Sequence, residues 1–560
     1  MVTPTQTSTH PAGAPDALDA IVVGAGFAGC YLLHRLRDEL GLSVRVLEAA
    51  DDVGGTWYWN RYPGARCDVP SVYYSFSFDE NLDQEWRWTE RYATQPEILA
   101  YIQHVATRYD LRRDIDFGTT VVGARFDERS RTWTVDTDDG RHLRARFLIT
   151  AVGCLSATQL PRFEGLESFA GDWYHTGRWP HEGVDFTGKR VGVIGTGSSG
   201  IQVIPMIAED ADHLTVFQRT PTFTVPAHNR PLTEAELEEV ANSYPELRKR
   251  VLTAWSGTPK PEPIGSAHAL TEQERQEELD RRWAYGGSGF TAAFSDTLLD
   301  LEANEVAAEY VRSKIKQIVH DPEVAELLTP RDYPIGTKRL AVDTGYYATY
   351  NRPNVSLVDV REKPIRRITP DGILVGDTSY PLDAIVFATG YDALTGAILR
   401  LGIRGADSTE LADKWAEGPK TYLGLMTAGF PNLFMVTAPG SPSVMTNMVM
   451  SIEQHVEWIT DLVAKLTRDG ITRVEPDVQA EEEWVTHINE LAAETLFPGA
   501  ASWYMGANIP GKPRVFMPYV GGAPRYREVC ARVAAEGYSG FILDARPDVT
   551  CPAPAVVTAT

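Results

Sequence analysis

The sequence of 560 residues predicts an α/β fold, and three observations lead to that prediction. An apolar run that continues into Gly-x-Gly-x-x-Gly occurs twice, at residues 20–29 and 191–200. Two later apolar runs that end in Gly, at 147–153 and 384–390, are typical of strands that return the chain between two domains. Between them, roughly residues 224–333 are polar and carry helix-start signals. The prediction is therefore two interleaved domains with a helical insert.

Each glycine motif stands in the context that nucleotide binding requires. In the first copy AIVVGAGFAG precedes a helix-like stretch and the strand SVRVLEA, and in the second VGVIGTGSSG precedes a helix and the strand HLTVFQR. The glycines permit a tight turn and let a pyrophosphate approach the helix N-terminus, where free N–H groups favour an anion. Both units are therefore predicted to be Rossmann-like dinucleotide-binding domains. Their glycines are Gly24, Gly26 and Gly29 in the first unit and Gly195, Gly197 and Gly200 in the second.

The residue that ends the second strand of each unit distinguishes the two ligands. It lies 24 positions after the first glycine in both units. In the first unit it is Glu48, a carboxylate suited to the ribose hydroxyls of FAD or NAD. In the second it is Arg219, followed by Thr220, a cation and a hydroxyl suited to a 2′-phosphate. We therefore expect FAD in the first domain and NADPH, rather than NADH, in the second.

These features predict the order of the domains along the chain. The insert begins its helices at Thr233-x-x-Glu236, Thr271-x-x-Glu274 and Asp321-Pro322, and we expect it to be a lid or spacer with its charges on a solvated face. The predicted segments are an FAD-binding domain at 18–150 and 390–544, an NADPH-binding domain at 151–223 and 334–389, the insert at 224–333, and flexible ends rich in Pro, Thr and Ala at 1–17 and 545–560.

Composition excludes several classes of function. The chain has 53 Lys and Arg against 76 Asp and Glu, a net charge of −23, which opposes binding to nucleic acid or to anionic lipid. Its five cysteines are scattered without a close pair, so neither a disulfide framework nor a zinc site is expected. The apolar stretch Ala20–Leu33 is too short for a membrane span, and residues 1–19 lack the basic residues of a secretory signal. A cytoplasmic protein without metal is expected.

The segment between the two nucleotide units narrows the flavin chemistry. A disulfide reductase would need a redox cysteine pair, which the sequence lacks. Residues 169–180, FAGDWYHTGRWP, resemble the fingerprint of type I Baeyer–Villiger monooxygenases, with His175 and Trp179-Pro180 at specified positions. A second family signature runs from Gly54-Gly55-x-Trp57 through Tyr62-Pro63-Gly64 to Asp68. The resemblance covers about residues 18–542 and is closest to the phenylacetone and steroid monooxygenase branch.

The resemblance implies oxygen insertion next to a ketone carbonyl. In this family NADPH reduces FAD, dioxygen adds to give a flavin peroxide, and attack on the ketone yields an ester or lactone. Arg339 matches the catalytic arginine, Asp68 the carboxylate that holds it, and Lys338 a residue that grips the 2′-phosphate with Arg219 and Thr220. A guanidinium cannot donate its proton near neutral pH, so it stabilises the anionic peroxide without protonating it.

The resemblance also carries over binding residues. For the cofactors these are Gly24, Gly26, Phe27, Gly29, Glu48, Gly55, Thr56, Trp57, Arg66, Asp68, Tyr74, Val121, Gly195, Thr196, Gly197, Ser198, Ser199, Gly200, Gln202, Arg219, Thr220, Lys338, Arg339 and Trp503. For the ketone pocket they are Leu155, Ser443, Val444, Met445 and Met448, each of which could equally belong to the core. Adaptable methionines in such a pocket favour a broad range of aryl, cyclic or bulky ketones.

Some assignments have alternatives. His175 resembles a base, but its position in the family favours a structural role between the nucleotide domains. Trp503 is either core or part of a mobile loop over the nicotinamide ribose, and Cys154 is expected to be an inert buried thiol. Two other classes compete, an N- or S-oxygenating flavin monooxygenase and a non-oxygenating flavoprotein. The former carries Tyr and a basic residue in place of Trp179-Pro180. A monomer acting on a ketone and dioxygen is expected, and the sequence does not identify the physiological ketone.

Overall fold

The structure is a computed structural model that describes residues 17–545, so the predicted flexible ends at 1–17 and 545–560 lie almost entirely outside it. The strands are β1 Leu18–Val23, β2 Val44–Leu47, β3 Ile115–Asp116, β4 Val121–Asp127, β5 Thr132–Thr137, β6 His142–Thr150, β7 Asp172–His175, β8 Arg190–Ile194, β9 His213–Gln218, β10 Thr224–Pro226, β11 Ala341–Asp343, β12 Val355–Asp359, β13 Ile365–Thr369, β14 Gly372–Val375, β15 Thr378–Pro381, β16 Ala384–Phe387, β17 Ile403–Arg404, β18 Leu433–Met435, β19 Ile471–Pro476 and β20 Phe541–Ala545.

The helices dominate the insert. They are α1 Phe27–Leu33, α2 Thr56–Trp59, α3 Glu80–Glu85, α4 Gln95–Arg108, α5 Ser198–Asp210, α6 Glu234–Thr253, α7 Glu272–Tyr285, α8 Leu301–Ile318, α9 Pro322–Leu327, α10 Tyr346–Thr349, α11 Gly396–Leu399, α12 Leu411–Lys414, α13 Met448–Arg468, α14 Val478–Ala493 and α15 Ala523–Ala535. Within residues 17–545, none of them combines the length and the apolar character that crossing a bilayer requires.

The larger sheet is mixed and contains the first glycine motif. Its strand order is β17-β4-β5-β6-β1-β2-β3, and β18 also pairs with β6. β1 lies parallel to both β6 and β2, whereas β4, β5 and β6 form an antiparallel meander. Because β17 and β18 come from the second half of the chain, the polypeptide returns to this sheet after building the second one.

The second sheet is entirely parallel and contains the second glycine motif. Its order is β12-β9-β8-β16-β7, with β8 between β9 and β16. β16 is the apolar run that the sequence places as a returning strand, and all four of its residues are buried. A parallel sheet must be covered on both faces, which explains such continuous apolar strands. The predicted α/β class with two Rossmann-like units is confirmed.

The insert shares a core with the second sheet. Phe290, Tyr310 and Val311 pack in the same cluster as Val191 and Ile204 of the second nucleotide unit. The predicted capping boxes Thr233–Glu236 and Thr271–Glu274 are confirmed at the starts of α6 and α7, and the Asp321 side chain caps α9.

The expectation that the charges of the insert lie on a solvated face fails for three residues. Glu278, Arg282 and Arg312 are all buried. Glu278 and Arg282 are stabilised there because each neutralises the other through an ion pair of 2.6 Å within α7.

Candidate active site

The two glycine turns have the same shape. Gly24 and Gly195 both have left-handed backbone angles, with φ of +102° and +107°. A Cβ added at Gly29 would collide with the carbonyl oxygen of Gly24, and one added at Gly200 with that of Gly195. Each strand therefore turns directly into a helix whose N-terminus is free for an anion. At Gly197 an added Cβ would meet nothing within 4 Å, so this turn is open to a ligand.

Glu48 follows β2 and faces the first turn. Its carboxylate accepts hydrogen bonds from the N–H groups of Ala25, at 2.6 Å, and Ala50, at 2.8 Å. The side chain is buried, and burial raises its pKa while these N–H groups oppose the rise. A carboxylate fixed beside a glycine turn fits the ribose hydroxyls of a dinucleotide.

The second turn is flanked by cations rather than by a carboxylate. Arg219 is exposed at the end of β9, and Thr196 Oγ1 donates to the Thr220 carbonyl at 2.9 Å. Lys338 lies over the Tyr333 ring, 4.3 Å from its centre, and burial together with Arg219 lowers its pKa. Within the described residues neither Arg219 nor Lys338 forms an ion pair with a carboxylate, an arrangement that fits a phosphate group.

Asp68 and Arg339 meet although 271 residues separate them in sequence. Asp68 follows α2 and Arg339 precedes β11. The guanidinium donates from Nε to Oδ2 at 2.7 Å and from Nη2 to Oδ1 at 2.6 Å, which makes a bidentate pair. Burial alone would raise the pKa of Asp68, but the Arg339 charge and hydrogen bonds bring it below its usual value. Asp68 raises the pKa of Arg339 further, so the site holds a permanent cation.

Arg339 has a third anchor that the sequence does not indicate. Its Nη1 donates to the Val444 carbonyl oxygen at 3.0 Å. Tyr504 is buried beside the same guanidinium, and its hydroxyl interacts with Arg339. Tyr504 adjoins Trp503, whose motif could have drawn attention to it, but a backbone carbonyl has no sequence signal.

The predicted ketone-pocket residues lie around that Val444 contact. Leu155, Met445 and Met448 are half-buried and pack against the same core cluster as Trp503. Val444 is buried. Ser443 is fully buried with φ of +41°, and its hydroxyl donates to the Thr437 carbonyl at 3.2 Å. The Ser443 side chain is thus engaged within the loop, whereas the apolar side chains around it keep a partly open surface.

The residues predicted to contact FAD differ in their burial and in their contacts. Trp57 is buried and donates from its indole nitrogen to the Tyr74 hydroxyl at 3.3 Å. Phe27 is buried and packs against Tyr74, with ring centres 5.8 Å apart. Val121 is buried at the start of β4, while Thr56 is exposed at the first turn of α2, directly after Gly55. Trp57, Phe27 and Val121 are thus packed in the interior, whereas Thr56 is exposed at a turn.

Arg66 and Gln202 already hold protein partners. Arg66 donates to Glu90 at 3.0 Å. Gln202 on α5 donates to the Arg66 carbonyl at 3.0 Å and accepts from the Tyr62 hydroxyl at 2.7 Å. The Gln202 side chain therefore joins the two nucleotide units, whereas the Arg66 side chain is bound within the first. Of the neighbouring predicted residues, Ser198 is exposed and Ser199 half-buried in the first turn of α5.

The residues with alternative interpretations occupy buried or half-buried positions. His175 ends β7, its Nδ1 accepts from the Gly177 N–H at 3.0 Å, and its Nε2 lies 3.4 Å from Thr389 Oγ1. Burial lowers the pKa of His175, which keeps the ring neutral. Trp503 packs against Tyr504 with ring centres 4.2 Å apart and the rings tilted by 51°, and Cys154 is a buried thiol.

The sequence also does not indicate Lys260. This side chain of the insert lies among the charges around Asp68 and Arg339. Nothing in its local sequence indicates this position, because it depends on how the insert folds back. Among residues 17–545 there is no group of three or more side chains that could hold a metal ion. The site thus combines two places for dinucleotides with a fixed cation between two structural units.

Comparisons with known proteins agree with this arrangement. The model of the flavin-binding monooxygenase-like family matches residues 18–228. A Baeyer–Villiger monooxygenase from Pseudooceanicola batsensis is 45% identical over 529 residues, which are 94% of this chain and 96% of the relative. A phenazine N-monooxygenase from Lysobacter antibioticus is 43% identical, covering 94% and 97%. The structure of an oxidised steroid monooxygenase bound to NADP superimposes with a TM-score of 0.90 at 51% identity, covering 94% and 100%.

Proposed function

Since this chain belongs to the Baeyer–Villiger monooxygenases, we propose that it uses FAD and NADPH to insert one atom of dioxygen beside the carbonyl of a ketone, producing an ester or lactone. The observation that carries the proposal is the bidentate pair of Arg339 and Asp68. A permanent cation at the meeting point of two dinucleotide units serves a reaction that passes through negative charge on oxygen.

The residues divide the work of binding and chemistry. Reduced flavin activates dioxygen when it is bound, and this is the chemistry that FAD and NADPH supply. Glu48 holds ribose hydroxyls in the first unit, while Arg219 and Lys338 hold the 2′-phosphate in the second. Arg339 stabilises the oxyanion that forms when the ketone carbonyl is attacked, and Asp68 orients the guanidinium.

The pocket favours apolar ketones. Leu155, Val444, Met445 and Met448 offer apolar side chains, and the Arg339–Val444 hydrogen bond places this loop beside the cation. A carbonyl oxygen would then point to Arg339 while its substituents rest on flexible methionines. We therefore propose aryl, cyclic or bulky ketones as substrates.

The proposal is tested with Arg339→Ala and, as a control that retains charge, Arg339→Lys. With phenylacetone and cyclohexanone, the wild type is expected to yield benzyl acetate and caprolactone. Arg339→Ala should lower ester formation by at least about 100-fold, the usual cost of losing an oxyanion contact, and Arg339→Lys should lose less. Ketone conversion by Arg339→Ala at the wild-type rate would contradict the proposal.

Oxygenation of nitrogen or sulfur is the second candidate, because one relative is a phenazine N-monooxygenase. A sulfide and a phenazine are therefore assayed beside the ketones. Oxidation of the nitrogen or sulfur substrates with no ester from any ketone would favour this alternative. Ester formation lost in Arg339→Ala would favour the first, whether or not the sulfide is also oxidised.

We also infer a cytoplasmic monomer. The four cysteines within residues 17–545 are buried and unpaired, which suits a reducing compartment. Light scattering of the purified protein should give the mass of one chain, and a mass of two chains would contradict the monomer.

A further inference from the structure

His455 is a buried histidine whose ring forms a hydrogen bond on one side only. It lies on α13 and has no surface exposed to solvent. Its Nδ1 accepts from the Thr437 N–H at 3.0 Å, so the proton of the neutral ring is on Nε2. Within the described residues Nε2 has no hydrogen-bond partner. Burial, and to a smaller extent Arg527, lowers the pKa of His455 to about 3, so the ring remains neutral and Nδ1 remains an acceptor near neutral pH.

Thr437 depends on this acceptor because of its backbone conformation. It lies two residues after β18 and has φ of +55°, a left-handed angle that a β-branched residue rarely adopts. Residues 431–444 are all buried, so water does not reach the Thr437 N–H to replace a lost partner. His455 therefore both satisfies this N–H and fixes the direction in which it points.

Thr437 in turn holds Ser443. The Thr437 carbonyl oxygen accepts from the Ser443 hydroxyl at 3.2 Å. Ser443 is itself left-handed, with φ of +41°, and its carbonyl oxygen accepts from the Thr446 N–H at 3.1 Å and from the Thr446 hydroxyl at 3.0 Å. The contact between Thr437 and Ser443 thus fixes the start of a short turn.

Val444 lies in this turn and connects it with the cation of the site. Its carbonyl oxygen accepts from Arg339 Nη1 at 3.0 Å, while Nε and Nη2 of the same guanidinium donate to Asp68. Three contacts, between His455 and Thr437, between Thr437 and Ser443, and between Val444 and Arg339, therefore link α13 to the guanidinium.

We propose that His455 is a positioning residue, which orients the Val444 carbonyl, and through it Arg339, by holding Thr437 and Ser443 in their left-handed conformations. The proposal rests on the proposed function, since Arg339 is the group that His455 positions. The bidentate contact keeps Arg339 on Asp68 but still lets the two side chains swing together, and the Val444 carbonyl prevents that movement. Without the Nδ1 acceptor, Arg339 would keep its charge and its pair with Asp68 and would lose its third anchor.

Two variants of His455 separate the acceptor from the packing. His455→Asn places Oδ1 where Nδ1 was, whereas His455→Leu fills more of the space but offers no acceptor. With phenylacetone as substrate, kcat of the holoenzyme should fall about 10- to 100-fold in His455→Leu, because misplacing a catalytic group by about 1 Å costs up to about 100-fold. His455→Asn should remain within about three-fold of the wild type. A role in packing alone predicts the opposite order, since Asn leaves the larger cavity. A loss in His455→Asn as large as that in His455→Leu, or no loss in either, would overturn the proposal.

A second kinetic measurement distinguishes positioning from general damage. Reduction of the bound FAD by NADPH without oxygen does not form the oxyanion that Arg339 is proposed to stabilise. Its rate, measured by stopped-flow absorbance, should therefore stay within about two-fold of the wild type in His455→Leu, as should KM for NADPH. If flavin reduction falls as much as ester formation, His455 supports the fold in general and the proposal is wrong.

Ser443→Ala breaks the next contact of the chain and leaves His455 in place. If both residues act through Val444, the double variant of Ser443→Ala and His455→Leu should lose no more kcat than the more damaged single variant. Losses that multiply in the double variant would show independent roles and contradict the chain of contacts.

Amide hydrogen exchange of the holoenzyme tests the same chain without any ketone. Exchange of residues 436–446 should become at least about ten-fold faster in His455→Leu and stay close to the wild type in His455→Asn, with residues 458–468 of α13 unchanged in both. Equal exchange of residues 436–446 in all three proteins would refute the anchoring of this loop by His455. If the wild type makes no ester, the proposed function fails while the exchange data still decide whether His455 holds the loop.

Discussion

At the scale of single residues, the proposed reaction depends on a carboxylate that orients a guanidinium. Asp68 accepts two hydrogen bonds from Arg339, and the Val444 carbonyl accepts a third. The guanidinium therefore has a defined orientation instead of the many that a free arginine side chain would adopt. Orientation and charge are both needed, because oxyanion stabilisation depends on where the donor points.

Asp68→Asn should retain the shape of the side chain and lose its charge. An amide offers only one acceptor atom, so the bidentate pair is broken. We expect kcat/KM for the ketone to fall about 10- to 100-fold, as for other groups that orient a catalytic residue, with little change in KM for NADPH. Steady-state kinetics of both substrates measures this, and an unchanged kcat/KM for the ketone would contradict the role of Asp68.

Arg219 and Lys338 should determine the preference for NADPH. Each is expected to contact the 2′-phosphate, and a charged hydrogen bond contributes about 1.5–3 kcal/mol. Arg219→Ala should therefore raise KM for NADPH about 10- to 100-fold while KM for NADH changes little. Arg367→Ala is the control, because Arg367 is an exposed cation of β13. An equal rise in KM for both coenzymes would mean that Arg219 does not recognise the 2′-phosphate.

Sequence patterns predict side chains better than they predict contacts. Glu48 and Arg219 lie the same number of residues after the first glycine of their motifs. The sequence alone therefore shows that one unit has a carboxylate at this position and the other a cation. The positions of the Val444 carbonyl and Lys260 cannot be predicted from the sequence in this way. The first is a backbone atom, and the position of the second depends on Arg282 and Asn447, which anchor its loop.

At the scale of elements, α7 holds the loop that carries Lys260. Breaking a buried ion pair costs about 3–5 kcal/mol because one charge is left unpaired. Arg282→Met should therefore loosen the loop, and amide hydrogen exchange of residues 256–266 should become at least about ten-fold faster. Arg281→Met is the matched control, since Arg281 contacts the same Glu278 from a position that is 51% exposed. Equal exchange in the two variants would contradict the anchoring role of Arg282.

Helix α13 contains a buried carboxyl group whose ionisation makes the stability of the fold depend on pH. Glu453 accepts from the Ser77 N–H at 2.5 Å and hydroxyl at 2.8 Å, yet burial raises its pKa to about 7. Since this pKa lies above that of the unfolded chain, the folded state binds more protons between about pH 4.5 and 7, and stability falls as pH rises through that window. The loss amounts to at most roughly 3 kcal/mol.

Glu453→Gln should remove this loss. Between pH 5 and pH 8, the midpoint temperature of thermal unfolding should fall less in the variant than in the wild type. The midpoint is measured by scanning fluorimetry at both pH values, with exposed Glu482→Gln as the control. The same pH-dependent decrease in Glu453→Gln as in the wild type would exclude Glu453 as its cause.

Helix starts in the insert are predictable from sequence, whereas its buried charges are not. A Thr followed three residues later by Glu produces a local contact, and α6 and α7 begin at such boxes. The burial of Glu278 and Arg282 depends instead on what packs over α7. A helix with a buried ion pair has the same local sequence pattern as a helix whose charges all face the solvent.

At the scale of the whole molecule, one ion pair joins segments that pack in two different cores. Asp68 lies between Cys67 and Val69, which pack in the cluster of β1, and Arg339 precedes Leu340 and Ala341, which pack in the cluster of the parallel sheet. Gln202 and Tyr62 add a further contact between the units. Any relative movement of the units would therefore act directly on the cation that the reaction requires.

The two glycine motifs account for most of what the sequence predicts about the fold. They place β1, α1, β8 and α5, and the apolar runs add β6 and β16. The small antiparallel sheet β13-β14-β15 and the pair β19-β20 are not predicted. Apart from β14, which is mostly buried, these strands are largely half-buried or exposed, so they lack the continuous apolar pattern of a buried parallel strand.

The most direct test of oxygen insertion is the turnover of phenylacetone with NADPH under isotopically labelled dioxygen. Mass spectrometry of the product should find benzyl acetate that carries one labelled oxygen atom, with one NADPH consumed for each ester formed. If NADPH is oxidised and only labelled hydrogen peroxide appears, with phenylacetone, cyclohexanone and a steroid ketone all recovered unchanged, the assignment of ketone oxygenation to this protein is wrong.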